Sequence, residues 1–539
     1  MITAFRMGRL IGLLGLLASL AACGGAPDEG VTIHRGNRLE PGTLDPAKAI
    51  IMDERTIVAD LFAGLYEPLP DGTPRLGLAE RVDVSDDGLS WTFHLREAVW
   101  SDGEPITAQD VVFGLQRTLD PATGNQYAAP LFPIRNAAAI YAGEAPVETL
   151  GATAIDDRTV AIALEYPTPY LPTILMYWGQ PQPRHAVAAH GEAWMRPENL
   201  VVSGPFIMTD WRTGNFIRLE ANPDFYEADR LCADTVYFYP TVDTASAERR
   251  VRSGELDLNV EFSAANTDFL RQTSPELVQT VPGLYIRAID FNTASEPFDN
   301  RDVRRALSMA IDRRFIANDI LGGDDAPAFR EIPEGIPGRP EGVRLDYADR
   351  PMPERIAEAR TLLENAGFGP DNPLRFTLYY QPAAGWPRIA PVIQQDWRLI
   401  ADWVEAGVQV RDSQIHYQAM RGGDFQVATT AWVPDFLDPY GILLQWETRA
   451  GEINNTRWTD PAYDALTEAA LNTVDPAERA ALYAQAEQMF LDSHANIPVF
   501  FEATRKLVSP RITGWVTNPA AINQSRWLCT VEAEAAAAE

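Results

Sequence analysis

The chain has almost no lysine. Of its 45 basic residues all but Lys48 and Lys506 are arginine, set against 75 acidic residues and a formal net charge of −30. Such a balance argues against nucleic acid as a partner, because phosphates call for a basic surface. It says little about a small ligand, since global acidity mostly governs solubility. The familiar catalytic signatures are missing as well: there is no His-Glu-x-x-His, no Gly-x-Ser-x-Gly and no Cys-x-x-Cys. The histidines His34, His94, His185, His190, His416 and His494 are scattered. His185 and His190 are five apart rather than four, so they share no metal-binding helical face. Acid pairs such as Asp86-Asp87 sit in turns without a partner base. Neither a metal nor a cofactor is expected, and an enzyme is the different-class alternative that these absences weigh against. Beyond the first 22 residues no stretch is long and apolar enough to cross a membrane. There is no internal repeat, and the one low-complexity segment is 532–539, EAEAAAAE, within a tail (531–539) expected to be a frayed, solvated end.

What is present begins with an export signal over residues 1–22. Arg6 and Arg9 precede the apolar run Leu10–Leu20. Leu20-Ala21-Ala22-Cys23 resembles a bacterial lipobox, which implies cleavage before Cys23 and lipid on its thiol. The alternative is an ordinary signal peptide with a chance cysteine. Residues 23–30 then form a lipidated tether, and one lipidated residue would hold the chain at a membrane without a spanning helix. The mature chain, about 515 residues, suggests two or three domains. Cys232 and Cys529 remain as an even pair. Export suggests one long-range disulfide between them, with two buried free thiols as the alternative.

Along the mature chain, strands and helices alternate, consistent with mixed α/β lobes. Asp86-Asp87-Gly88 is a hairpin signal between alternating runs. Apolar periodicity predicts helices over 56–66, 108–119, 303–311, 356–366, 463–471 and 476–491. Phe425–Ala431 reads as a buried strand that Pro434 stops. Trp432 and the carboxylate of Asp435 then lie at the strand's carboxyl end, where open α/β sheets bind ligands. An aromatic wall beside an anion suits a small cation such as a peptide ammonium. The plain alternative is a strand-to-turn junction with Asp435 capping the turn.

Several blocks carry a family likeness: Val84–Arg96 (VSDDGLSWTFHLR), Trp100-Ser101-Asp102-Gly103, Thr107–Phe113 (TAQDVVF), Leu219–Tyr226 (LEANPDFY) and Phe298–Leu307 (FDNRDVRRAL). In this order and spacing the sequence resembles the oligopeptide-binding proteins, the solute receptors of ABC peptide importers. The resemblance implies an α/β, two-lobed periplasmic-binding-protein-like fold with a hinge and an additional inserted domain. The first domain would be discontinuous (31–62, 181–284 and 500–530), the inserted domain would span 63–180, and the second lobe 285–499. It further implies an extended oligopeptide as ligand, the transmembrane subunits of an ABC permease as partners, a periplasmic location and a monomer.

The segment Ala431–Pro439 (AWVPDFLDP) resembles a family pattern G-W-x-x-D-Y-x-D-P whose first aspartate holds the ligand's N-terminal ammonium. The resemblance implies Asp435 as that anchor, Trp432 as a pocket wall and Tyr127 as a contact reaching in from the inserted domain. The chain also departs from the pattern. Thr429 stands where some members carry arginine, Trp386 replaces a pocket histidine, 318–325 has no basic residue, and apolar Ile50, Ile51 or Met52 replaces an acidic residue. The amino end of a peptide looks well served and the carboxyl end does not; Arg388 and Arg421 are nearby candidates. Trp386 would add a stackable apolar wall, with core packing as the alternative. Alternative functions are a same-fold receptor for a non-peptide solute, such as a glycopeptide, oligosaccharide or metal chelate, and an exported peptide hydrolase.

Overall fold

The computed structural model describes residues 30–519 and 522–538; the export signal and Cys23 lie outside them. One sheet runs through most of the chain. In chain order its main strands are β1 (Thr32–Gly36), β2 (Phe206–Arg212), β3 (Phe216–Ala221), β4 (Thr235–Tyr239), β5 (Leu258–Asn259), β6 (Val278–Phe291), β7 (Leu374–Tyr380), β8 (Val404–Val410), β9 (Val427–Trp432) and β10 (Asn496–Val508). Their spatial order is β8-β7-β9-β6-β10-β5-β1-β4-β3-β2. Parallel neighbours cannot be joined by a tight hairpin and need crossovers. The pair β7 and β8 is crossed by the helix Trp386–Arg398. Helices on the faces explain why Val427, Ala428 and Thr429 are all buried, without the alternation of a one-sided sheet.

β6 and β10 are the strands that both halves of the sheet share. Residues 278–281 of β6 pair with 504–507 of β10 on the side of β5, and residues 285–290 pair with 496–502 on the side of β9. The register shifts between Val281 and Tyr285, at Pro282-Gly283-Leu284. Proline has no N–H to offer the ladder. Gly283 has no room for a side chain: a Cβ there would lie 2.0 Å from the Glu502 carbonyl oxygen. Each half encloses its own apolar core, one around Phe206, Leu219, Val236 and Trp194, the other around Phe291, Leu307, Ile393 and Trp397. The result is two lobes joined by two strands.

A separate antiparallel sheet takes Ala79–Val84, Ser90–Leu95, Thr159–Ala163 and Ala152–Asp156 in that spatial order. The helix Ala108–Leu119 covers it with Val111, Leu115 and Leu119. This helix starts where Thr107 donates its backbone N–H to Asp110 (2.8 Å), a local cap legible in the sequence. The core beneath this sheet continues into Phe436, Tyr440, Trp446 and Phe490 of the second lobe.

The first helix covers Met52–Leu61, earlier than the expected 56–66. Glu54 accepts N–H groups from Gly42 and Ile50 (both 3.0 Å) and fixes its start. Its end is taken by Gly204, whose N–H donates to the Leu61 carbonyl at 2.8 Å. These partners are remote in sequence. Cys232 and Cys529 are joined by a disulfide across a separation of 297 residues, with Cα atoms 5.3 Å apart. The tail expected to fray is instead helical over Val531–Ala538. Its residues are mostly exposed, and its alanines carry the highest helix propensity.

Candidate functional site

β9 ends against β6, with Trp432 opposite Ile286. The loop that follows is locked by Asp438, whose carboxylate accepts from two Arg479 nitrogens (2.7 and 2.9 Å) and from the Tyr440 N–H (2.9 Å). Both side chains of this ion pair are buried. The half-buried Trp432 ring is pinned by its own N–H, which donates to the Gly441 carbonyl at 2.8 Å. Between these fixed points Asp435 is presented to the inserted domain.

There the Tyr127 hydroxyl donates to Asp435 Oδ2. Tyr127 is aimed by Asn125, which accepts the Tyr127 N–H (2.8 Å) and donates to the Thr118 carbonyl at the end of the covering helix (3.2 Å). Close by, Tyr170 stacks on Phe436 with ring centroids 4.4 Å apart and planes 8° apart. Burial pushes the Asp435 carboxyl above the usual carboxylate range, and the Tyr127 hydrogen bond opposes that rise. Burial, followed by the neighbouring anion, drives the Tyr127 phenol up. A desolvated carboxylate with one neutral donor and an aromatic wall retains capacity for a cation.

Between the lobes lies a cleft of about 570 Å³ whose floor is β10 and whose walls include Met52, Tyr285, Arg287 and Arg388. Met52 lines this cleft, 38 % exposed at the start of its helix. Two sequence expectations are corrected. Trp386 is not a cleft wall: its ring is fully buried and packs near Phe500, centroids 6.2 Å apart. The left-handed residues Ala384 and Gly385 just before it face the cleft, and the helix start turns the indole into the core. Thr429 is 1 % exposed within β9, opposite Ile289, and offers nothing to a ligand in the cleft. Arg421 lies over Tyr417 (5.3 Å) on the helix Ser413–Gly422 and is absent from the cleft lining, which holds Arg388.

The sequence reading missed the hinge-strand residues Tyr285, Arg287, Glu502 and Lys506. The available signal was the period of two in β10: Glu502, Thr504 and Lys506 share one face. A larger depression of about 690 Å³ lies at the outer edge of β7 and β8, by Arg375 and Arg411, and touches none of these groups. Among the described residues no set of three or more His, Cys, Asp or Glu could hold a metal ion. No described helix is long and apolar enough to cross a membrane.

Two lobes that share a pair of strands and hold a cleft between them define a solute-binding receptor; Asp435, Trp432 and Tyr127 form their own cluster and are not among the described residues that line that cleft. Residues 73–453 match the family model described as bacterial extracellular solute-binding proteins, family 5 Middle, and the chain belongs to that family. It is 34 % identical over 486 residues, 89 % of each chain, to the probable deoxycholate-binding periplasmic protein YgiS of Escherichia coli K12. It is 32 % identical over 514 residues to the periplasmic oligopeptide-binding protein OppA of Salmonella typhimurium, covering 93 % of this chain and 94 % of that one. Among solved structures, the unliganded open form of the periplasmic murein tripeptide-binding protein MppA superposes with a TM-score of 0.82 at 30 % identity, covering 93 % of this chain and 98 % of that one.

Proposed function

We propose that the protein captures extended oligopeptides between its lobes and delivers them to the membrane subunits of an ABC importer. The observation that carries this reading is Asp435, a desolvated carboxylate at a strand end with capacity for a ligand ammonium. An extended peptide could add to the exposed strand ends through its backbone, which gives affinity with little regard to side chains. Closure would be a hinge motion of β6 and β10. The domain boundaries follow as 31–62 with 181–284 and 500–530, then 63–180, then 285–499; the register shift beside residue 284 supports the third. The mature protein would be a periplasmic monomer tethered by lipid on Cys23.

A second reading is a receptor for a non-peptide amphipathic acid. The relative named for deoxycholate and the apolar Met52 on the cleft wall favour it. Such a ligand has no ammonium, so Asp435 separates the two. Calorimetric titration with pentaalanine and N-acetyl-pentaalanine is expected to show a loss of roughly 10–100-fold on acetylation, the worth of one charge-assisted contact. Asp435→Asn should lose the same factor for the free peptide and nothing further for the acetylated one. Equal binding of both peptides by the wild type, with deoxycholate bound more tightly than either, would transfer the assignment to the second reading.

A further inference from the structure

The cleft is cationic in a strongly anionic chain. Five basic side chains (Arg38, Arg287, Arg388, Arg505 and Lys506) and four acidic ones (Asp53, Glu261, Asp325 and Glu502) line it, whereas the whole protein carries −30. Three of the arginines are matched. Arg38 pairs with Asp53 (2.7 Å) and reaches Glu261 (3.9 Å), Arg505 pairs with Asp325 (2.7 Å), and Arg287 donates to Glu502. Among the described residues, Lys506 and Arg388 form no side-chain hydrogen bond or ion pair with any acid.

Lys506 is the sharper case. It is 6 % exposed, yet it lines the cleft from β10, on the strand face it shares with Glu502 and Thr504. Burial pushes its ammonium down to about 8, against the attraction of Glu261 and Asp53 and with the added repulsion of Arg35 and Arg38. An ammonium at the tip of so buried a side chain, without a hydrogen-bonded counter-ion, is costly and has only the cleft from which to draw one. A protein that otherwise uses arginine carries one of its two lysines here. Arg388 faces the same space from the other lobe, in the first turn of the helix Trp386–Arg398, where the helix dipole also favours an anion.

We infer that Lys506, with Arg388 opposite, seats a carboxylate of the bound solute. The inference rests on the cleft being the ligand site, and it concerns a different group of the solute from the ammonium assigned to Asp435. The carboxylate is either the C-terminus of a peptide or the acid group of a small amphipathic molecule. Closure of the lobes brings the two cations to one anion, supplying the partner that Lys506 lacks.

With two lysines in the chain, ¹³Cε-lysine labelling yields two side-chain NMR signals, and Lys48→Arg assigns them. The probes are pentaalanine, pentaalanine amide and deoxycholate. The expected result is that a carboxylate-bearing probe shifts the Lys506 signal and raises its titration midpoint by at least one pH unit. A response to pentaalanine but not to its amide assigns a peptide C-terminus; a response to deoxycholate alone assigns a free amphipathic acid. Lys506→Met should weaken binding of the acid at least 10-fold and leave the amide unchanged. Arg388→Gln, at an exposed position that does not threaten folding, should act in the same direction with a smaller factor. A Lys506 signal that no carboxylate probe moves overturns the inference, as does an acid-to-amide preference unaltered by both substitutions. N-acetylation tests Asp435 separately, so either end can fail without the other.

Discussion

The Tyr127 hydroxyl of the inserted domain donates to the Asp435 carboxylate of the second lobe across 308 residues of sequence. A partly buried carboxylate gains from a partner even without ligand, and a neutral phenol supplies one without cancelling its charge. The contact also ties the inserted sheet to the lobe it faces, next to the stacked pair Tyr170 and Phe436.

One consequence concerns pH. On the proposed reading Asp435 must be ionised to hold an ammonium, so peptide binding should weaken as pH falls through its folded-state pKa. Burial raises that pKa and the Tyr127 hydrogen bond lowers it. Tyr127→Phe should therefore move the acid limb of peptide binding to higher pH, while affinity at pH 8 changes by less than about threefold, a small part of one hydrogen bond to a charged group. Calorimetry from pH 4 to 8 measures the acid limb and the affinity above it in both proteins. Superimposable curves would show that Tyr127 does not govern the carboxylate.

The hinge makes a second prediction. A Cβ at Gly283 would collide with the Glu502 carbonyl and crowd the Thr504 nitrogen at 3.1 Å. Gly283→Ala should lose about 1–3 kcal/mol of stability, the usual range for overpacking. Gly369→Ala is the control: nothing lies within 4 Å of its Cβ position, and it is not among the positive-φ glycines. Urea denaturation of the two variants should separate them; equal midpoints would mean that the β6–β10 crossing tolerates a side chain.

What the sequence discloses depends on how local the deciding interaction is. The stop after β9 is legible because Pro434 ends the ladder within the segment itself. The capping of Ala108–Leu119 by Thr107 and Asp110 is equally local. Asp435 stands out through a nine-residue pattern. Trp386 does not resolve, because an indole before a proline reads alike on a cleft wall and in a core; the turn at Ala384 and Gly385 decides. Lys506 acquires meaning only from Asp53, Glu261 and Arg38, more than 200 residues away. The break in β6 likewise exists only relative to β10.

The disulfide closes a long loop and constrains the unfolded chain more than the folded one. With a sequence separation of 297 between Cys232 and Cys529, the chain-entropy argument gives about 5–6 kcal/mol. Replacing both cysteines with serine should lower the melting temperature accordingly, and dithiothreitol should bring the wild type to the same value. A double variant that melts with the oxidised wild type would show that the C-terminal segment is held by its packing alone.

His494 makes the last prediction, with a sign set by burial. It caps the helix Pro476–Ser493 in the left-handed conformation (φ 50°) and is 1 % exposed. Arg305 donates to its Nε2 at 3.3 Å, and its Nδ1 has no partner among the described residues. Burial first, then Arg305, Arg301 and Arg304 against the opposing pull of Asp346, push the imidazole down to about 3. The folded protein thus keeps a neutral ring while the unfolded chain takes up a proton near pH 6.5. Stability is present above that pH and is lost as pH falls toward 3, by about 2 kcal/mol between pH 7 and pH 5. Asp60, Asp290 and Asp396, each raised to about 6 by burial, work in the opposite sense, gaining as pH falls. They are common to wild type and variant and cancel in a comparison. His494→Asn keeps a residue that tolerates the left-handed backbone and removes the proton. Urea unfolding at pH 7 and pH 5 should show the wild type losing about 2 kcal/mol more than the variant; equal losses would mean that the ring is protonated in the folded protein.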